Sequence, residues 1–143
     1  MTQIKSALAT VRDTLIEGVA LVAVSKTKPV ELLQEAYEAG QRDFGENKVQ
    51  EMALKAEAMP KDIRWHMIGH VQTNKIKYMA SFVHLVHGVD REKVLKELDK
   101  QAKKANRTIN CFLQVHICLL YTSDAPDEKE SVDPGVRRII KKP

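Results

Sequence analysis

Lys26 closes an apolar run, Ala20-Leu21-Val22-Ala23-Val24, just ahead of Pro29, where a helical pattern opens. A lysine at the C-terminal mouth of a strand in an α/β protein stands where such folds bind ligands. Its unprotonated amine can attack an aldehyde and form a Schiff base, and burial or a nearby positive charge would favour that form. Lys28 shares its face if the strand continues and could supply the charge; the alternative is a surface lysine before Pro29. Two more polar segments follow strand-like stretches: Phe44-Gly45-Glu46-Asn47-Lys48-Val49-Gln50-Glu51 and Trp65-His66-Met67-Ile68-Gly69-His70-Val71-Gln72-Thr73-Asn74-Lys75. Asn47 suits either a hydrogen bond to a ligand or the cap of a following helix. His66 suits packing against a ligand ring or a hydrogen-bonded core position, and Gly69 a tight turn with positive φ. Glu46 and Glu51 read as helix residues rather than acid/base groups. Asn74 and Lys75, at a helix start, suit a cap or a pairing with a carboxylate.

The five histidines raise the question of metal binding. His66 with His70, and His84 with His87, are the close pairs in sequence. Neither has the His-Glu-x-x-His spacing, and no cysteine ligand is near, so no metal is expected. Cys111 and Cys118 form no redox motif and suggest no disulfide framework. The net charge of +4 concentrates on Lys93, Lys96, Lys100, Lys103, Lys104 and Arg107. Such a run can bind nucleic acid or form the solvated face of a helix whose other face is Val94, Leu95, Leu98 and Ala102. No aromatic residue interleaves the basic positions for base stacking, so the solvated face is expected and no nucleic-acid partner.

At 143 residues and 43% hydrophobic, the chain can bury one core but not two ordinary domains. No run approaches the ~18 apolar residues of a membrane span. Ile4, Leu8, Val11 and Leu15 recur at helical spacing and do not form a signal peptide, so a cytoplasmic protein without a membrane partner is expected. Helices are expected over about 2–17, 29–39, 46–58, from 72 or 73, and 91–105, with Gly40 as a stop and Asp90 as an N-cap. Strands are expected over 20–24, 42–44, 63–68, 83–87 and 109–117. This alternation implies an α/β fold with a parallel sheet. Five strands suit an open doubly wound sheet or the first part of a (β/α)8 TIM barrel, and periodicity does not separate the two.

Ser25-Lys26-Thr27-Lys28-Pro29 and the two segments above, in this order and spacing, resemble the pyridoxal-phosphate homeostasis proteins, single-domain carriers of pyridoxal 5'-phosphate (PLP). His84-Leu85-Val86-His87-Gly88-Val89-Asp90 adds a looser match, with His87-Gly88 where many relatives have His-Ser or His-Thr. The resemblance covers about Leu21 to Ile117. It implies a partial barrel of the alanine racemase N-terminal type, with about five of eight strands in 1–117. It also implies that Lys26 holds PLP as a Schiff base, with Asn47, His66 and Gly69 as further cofactor-binding residues. The family's phosphate contacts lie in loops after about strands six to eight, and none of those contacts is found in this sequence. The implied role is non-catalytic: PLP homeostasis and delivery of PLP to apoenzymes by a monomeric parent protein. A PLP-dependent amino-acid racemase on the same barrel is the alternative. Such an enzyme needs an opposing tyrosine, and Tyr37, Tyr78 and Tyr121 match no such motif.

From Cys118 the sequence changes character. Cys118-Leu119-Leu120-Tyr121-Thr122-Ser123-Asp124-Ala125 and the later Ser131-Val132-Asp133-Pro134-Gly135 resemble translated sequencing adapter. The expectation is that residues 118–143 form a disordered, non-family tail. A truncated chain of this kind would have no function of its own. Its last strand would be an unpaired apolar edge prone to aggregation.

Overall fold

The computed structural model describes residues 2–117, so the expectations for 118–143 lie outside the described residues. The chain runs α1 (Gln3–Asp13), β1 (Ala23–Val24), α2 (Val30–Glu38), β2 (Asp43–Glu46), α3 (Val49–Ala58) and β3 (Arg64–Met67). A 3₁₀ helix (Thr73–Tyr78), β4 (Val83–Val89), α4 (Glu92–Lys104) and β5 (Asn110–Leu113) complete it. All neighbouring strands are parallel, in the order β1-β2-β3-β4-β5. A doubly wound sheet reverses its strand order at a switch point; this one does not. Right-handed crossovers between successive neighbours carry every helix to the same face, as in an arc of a (β/α) barrel.

Burial follows that geometry. Phe44, Trp65, Met67, Val83, Val86 and Val89 join Leu33, Met52, Ile76, Val94 and Leu98 in one core cluster between sheet and helices. The register pairs Gly45 with His66 on the opposite, concave face. A Cβ on Gly45 would lie 3.2 Å from both Val22 and Ile68, so this face is packed closely there. Phe112 and Leu113 on β5 are exposed, and β5 has one strand neighbour among the described residues.

Several boundaries differ from the periodic pattern, each for a local reason. β1 is two residues long because the side-chain amide of Gln41 donates to the Leu21 carbonyl at 2.6 Å, taking an acceptor a strand partner would use. The same amide donates to the Asp43 carbonyl, and its oxygen accepts from Arg12 at 2.8 Å. α1 stops at Asp13 rather than near 17, with the Thr14 hydroxyl donating to the Val11 carbonyl. Gly40, at φ +94°, ends α2 as expected, since a left-handed residue there is cheapest as glycine. Glu46 closes β2 and is buried; it does not open a helix. Lys48 occupies the N-cap position of α3 without a side-chain bond, so Asn47 is not the cap. Arg91, not Asp90, precedes α4, and the Asp90 carboxylate meets the Arg91 guanidinium instead. Asn74 and Lys75 lie within the 3₁₀ helix, whose N-cap position is Gln72. β5 ends at Leu113, short of the expected 117.

Two lysines of the basic segment pair with acids of the same helix. Lys96 bonds Glu92, and Lys103 bonds Asp99 at 2.8 Å, each one helical turn away. Arg107 donates to the carbonyls of Ala80 and Val83 and fastens the turn after α4 to the start of β4.

Candidate active site at the strand mouths

Lys26 follows β1 at the C-terminal end of the sheet and is exposed. Among the described residues its ammonium enters no salt bridge or hydrogen bond, and the burial expected of it is absent. The chain turns immediately: Thr27 has φ +63°, and Lys28 donates its N–H to the Ser25 carbonyl at 3.1 Å. Lys28 therefore does not continue a strand and does not share the face of Lys26 by alternation. A β-branched residue in the left-handed region is strained by roughly 1–2 kcal/mol and needs support from its surroundings.

That support comes from α3. The Thr27 N–H donates to Glu51 Oε1 at 2.8 Å. Lys55 Nζ donates to Glu51 Oε1 at 2.7 Å, to the Ser25 carbonyl at 2.8 Å and to Glu46 Oε2 at 3.0 Å. Ser25 Oγ also donates to Glu46 Oε2. The Lys55 hydrogen bond, helped by that of Thr27 and opposed by partial burial, holds the Glu51 carboxyl below the usual range. Lys55 and Glu46 are buried. Neither stands out in the sequence, where Glu51 and Lys55 read as an ordinary helical pair one turn apart.

Asn47 follows β2 at the same end of the sheet. Its Oδ1 is buried and accepts no hydrogen bond. An orphaned buried acceptor is costly, and a ligand that donates to it would relieve that cost. Gly69 follows β3 directly beside it. A Cβ on Gly69 would lie 2.7 Å from the Asn47 carbonyl oxygen and 2.8 Å from its Cβ. The requirement for glycine is this close approach of two backbones; the expected positive φ is not found. Gly88 continues the line, with a hypothetical Cβ 3.2 Å from the Gly69 oxygen.

His66 is buried on the concave face, one strand over from Gly45. Its Nε2 lies 2.9 Å from Asp43 Oδ1 and its Nδ1 2.9 Å from His87 Nε2. A carboxylate partner fixes the proton on Nε2, so in neutral His66 the Nδ1 lone pair accepts from His87. Arg64 grips both Asp43 oxygens, at 2.9 and 2.7 Å. Burial alone would raise the Asp43 pKa, but the bonds from Arg64 and His66 outweigh it and hold the carboxyl below its usual range. Burial, reinforced by His66, lowers the pKa of both His84 and His87. His87 also packs edge-on to Phe112, with ring centres 5.1 Å apart.

The histidine pairing thus differs from the sequence neighbours: His66 joins His84 and His87, while His70 lies 4.0 Å from Asp90. Asp43, His66 and His84 bring ligand atoms within 4.8 Å of one another. The guanidinium of Arg64 already holds both oxygens of that aspartate, which makes the cluster a hydrogen-bonded network first.

The comparisons with known proteins bear on the family and the fold. Residues 1–118 match the family described as alanine racemase, N-terminal domain. The chain belongs to this family. It is 41% identical over 123 residues to a pyridoxal phosphate homeostasis protein of Schizosaccharomyces pombe, covering 81% of this chain and 52% of that protein. A protein of the same name from Vibrio alginolyticus is 45% identical over 105 residues, 70% of this chain and 45% of that one. The chain spans about half the length of the curated relatives it matches. Among solved structures, PipY of Synechococcus elongatus with PLP bound superposes with a TM-score of 0.76 at 35% identity. That match covers 91% of this chain and 64% of PipY. PipY without PLP gives 0.77 at 38% identity, over 80% and 54%. The fold is therefore an α/β partial barrel of the alanine racemase N-terminal type.

Proposed function

We propose that this chain is the PLP-binding part of a pyridoxal-phosphate homeostasis protein, with the cofactor held as a Schiff base on Lys26. Lys26 would hold the cofactor by supplying Nζ to its aldehyde carbon, with the carbonyl oxygen lost as water. The observation that carries the reading is the pairing of an exposed, uncommitted amine at the mouth of β1 with an orphaned buried acceptor, Asn47 Oδ1, at the mouth of β2. These residues fit the group: an amine for its aldehyde and a side-chain amide for its ring substituents. His66, buried and held between Asp43 and His87, serves the site as a rigid wall. Gly69 serves it by letting the β3 mouth close against Asn47.

PLP, when bound, supplies an electrophilic aldehyde; this chain's residues bind and orient it. The role is carriage, with delivery to apoenzymes by the whole protein in the cytoplasm, and not racemisation. Tyr37 is engaged with Asp62 at 2.8 Å, and Tyr78 is exposed on the 3₁₀ helix, so neither is poised as an opposing acid/base. The test is a PLP titration of the 143-residue chain followed by visible absorbance, alongside Lys26→Ala and Asn47→Ala. Lys26→Ala should abolish the saturable imine band and Asn47→Ala should weaken binding about tenfold. An unchanged titration in Lys26→Ala sinks the reading, and turnover of D- or L-alanine would favour the racemase.

A further inference from the structure

We infer that Lys55 is a positioning residue for Lys26: its buried ammonium fixes the backbone turn that presents the Lys26 amine. The inference rests on the reading of Lys26 given above and names the device that makes that lysine distinct from other exposed lysines. An ammonium has three donors, and Lys55 uses all of them on Ser25 O, Glu46 Oε2 and Glu51 Oε1. The residue before Lys26 is thus bonded to Lys55 directly. The residue after it is bonded through Glu51, which accepts the Thr27 N–H. One charged group therefore clamps both peptide neighbours of Lys26 while leaving its side chain free. Thr27 keeps φ +63° only while that carboxylate holds its N–H.

The same ammonium ties together the two halves of the site. Glu46 immediately precedes Asn47, and Lys55 lies on the helix that Asn47 leads into. Lys26 and Asn47 are carried by different strands, and a group anchored to both strand ends fixes their separation. An ion pair serving only to hold α3 on the sheet has no need of the Ser25 carbonyl or of a bridge to Thr27. Those two bonds point to the turn.

The experiment compares the 143-residue chain with Lys55→Met and with Glu46→Gln/Lys55→Met. The double variant removes the buried carboxylate that the single one strands, and so remains informative if Lys55→Met fails to fold. Two readouts are taken: hydrogen exchange of the Thr27 and Lys28 amides, and the ratio of Lys26 to Lys28 adducts after PLP and borohydride. Lys28 is an internal reference two residues away, likewise exposed. The expected result is about tenfold faster exchange at Thr27 and Lys28, unchanged exchange in β2 and β3, and a Lys26:Lys28 ratio about tenfold lower. Unchanged exchange at Thr27 and Lys28 overturns the inference. So does faster exchange with an unchanged ratio, which would leave Lys55 a structural ion pair. Absence of any Lys26 preference in the unaltered chain would instead overturn the attachment reading, while the exchange data still decide whether Lys55 holds the turn.

Discussion

Replacing Gly69 with alanine places a methyl carbon 2.7 Å from the Asn47 carbonyl oxygen, 2.8 Å from its Cβ and 2.9 Å from its Cα. Two of these are backbone atoms and the third is fixed by the backbone, so no rotamer change relieves the clash. One of the two strand-end segments must move. Overpacking of this kind costs about 1–3 kcal/mol, and rigid neighbours put Gly69→Ala at or above about 3 kcal/mol. For a domain of this size that lowers the thermal midpoint by on the order of 10 °C. Equilibrium urea unfolding followed by the fluorescence of Trp65, the sole tryptophan and buried in the core, measures it directly. Gly88→Ala is the control: its nearest neighbours are an oxygen at 3.2 Å and the flexible end of Gln114 at 3.5 Å, so the expected cost is about 1 kcal/mol. A Gly69→Ala midpoint indistinguishable from the parent's would refute the close approach of the β2 and β3 mouths, and with it the placement of Asn47.

Stability should fall on acidification in two stages. The folded-state pKa values of His84 and His87 are depressed, so their contribution is complete above the ordinary value of 6.5 and is lost as pH drops through their lowered values. Asp43 is depressed as well, so its contribution is complete above the ordinary 3.8 and is lost at still lower pH. A urea midpoint that rises between pH 7.5 and 5 would contradict the histidine assignment, and His87→Gln should flatten that first limb. Asp43→Asn, which removes the charge shared by Arg64 and His66, should cost about 1–3 kcal/mol at pH 7. A matching loss in Arg64→Met with no further loss in the double variant would show that the two act as a pair.

Order, spacing and residue type made the strand-mouth positions readable. Lys26, Asn47 and Gly69 follow β1, β2 and β3 at one end of the sheet, as an α/β reading requires, because a strand followed by a helix always exposes its C-terminal end in the same direction. What one strand's pattern does not carry is register. Asp43 and His66 meet only because β2 and β3 pair Gly45 with His66, and the His66–His87 contact depends on a register shift between β3 and β4. The choice between barrel and doubly wound sheet is also a matter of strand order, which no periodicity encodes. Lys55 was hidden by its ordinary company: a Glu and a Lys four apart on a helix usually face solvent, and here they face the Lys26 turn. Gln41 was hidden similarly, since a side-chain amide that replaces a strand partner leaves no trace in hydrophobic alternation.

The central claim, that Lys26 is the residue which takes the cofactor's aldehyde, is tested most directly by trapping. The chain is incubated with PLP, reduced with borohydride, digested and mapped by mass, with Lys26→Ala in parallel. The account predicts an adduct concentrated on the peptide containing Lys26 and lost in the variant. Adducts spread over exposed lysines such as Lys96 and Lys103 in proportion to their accessibility, unchanged by Lys26→Ala, would contradict it.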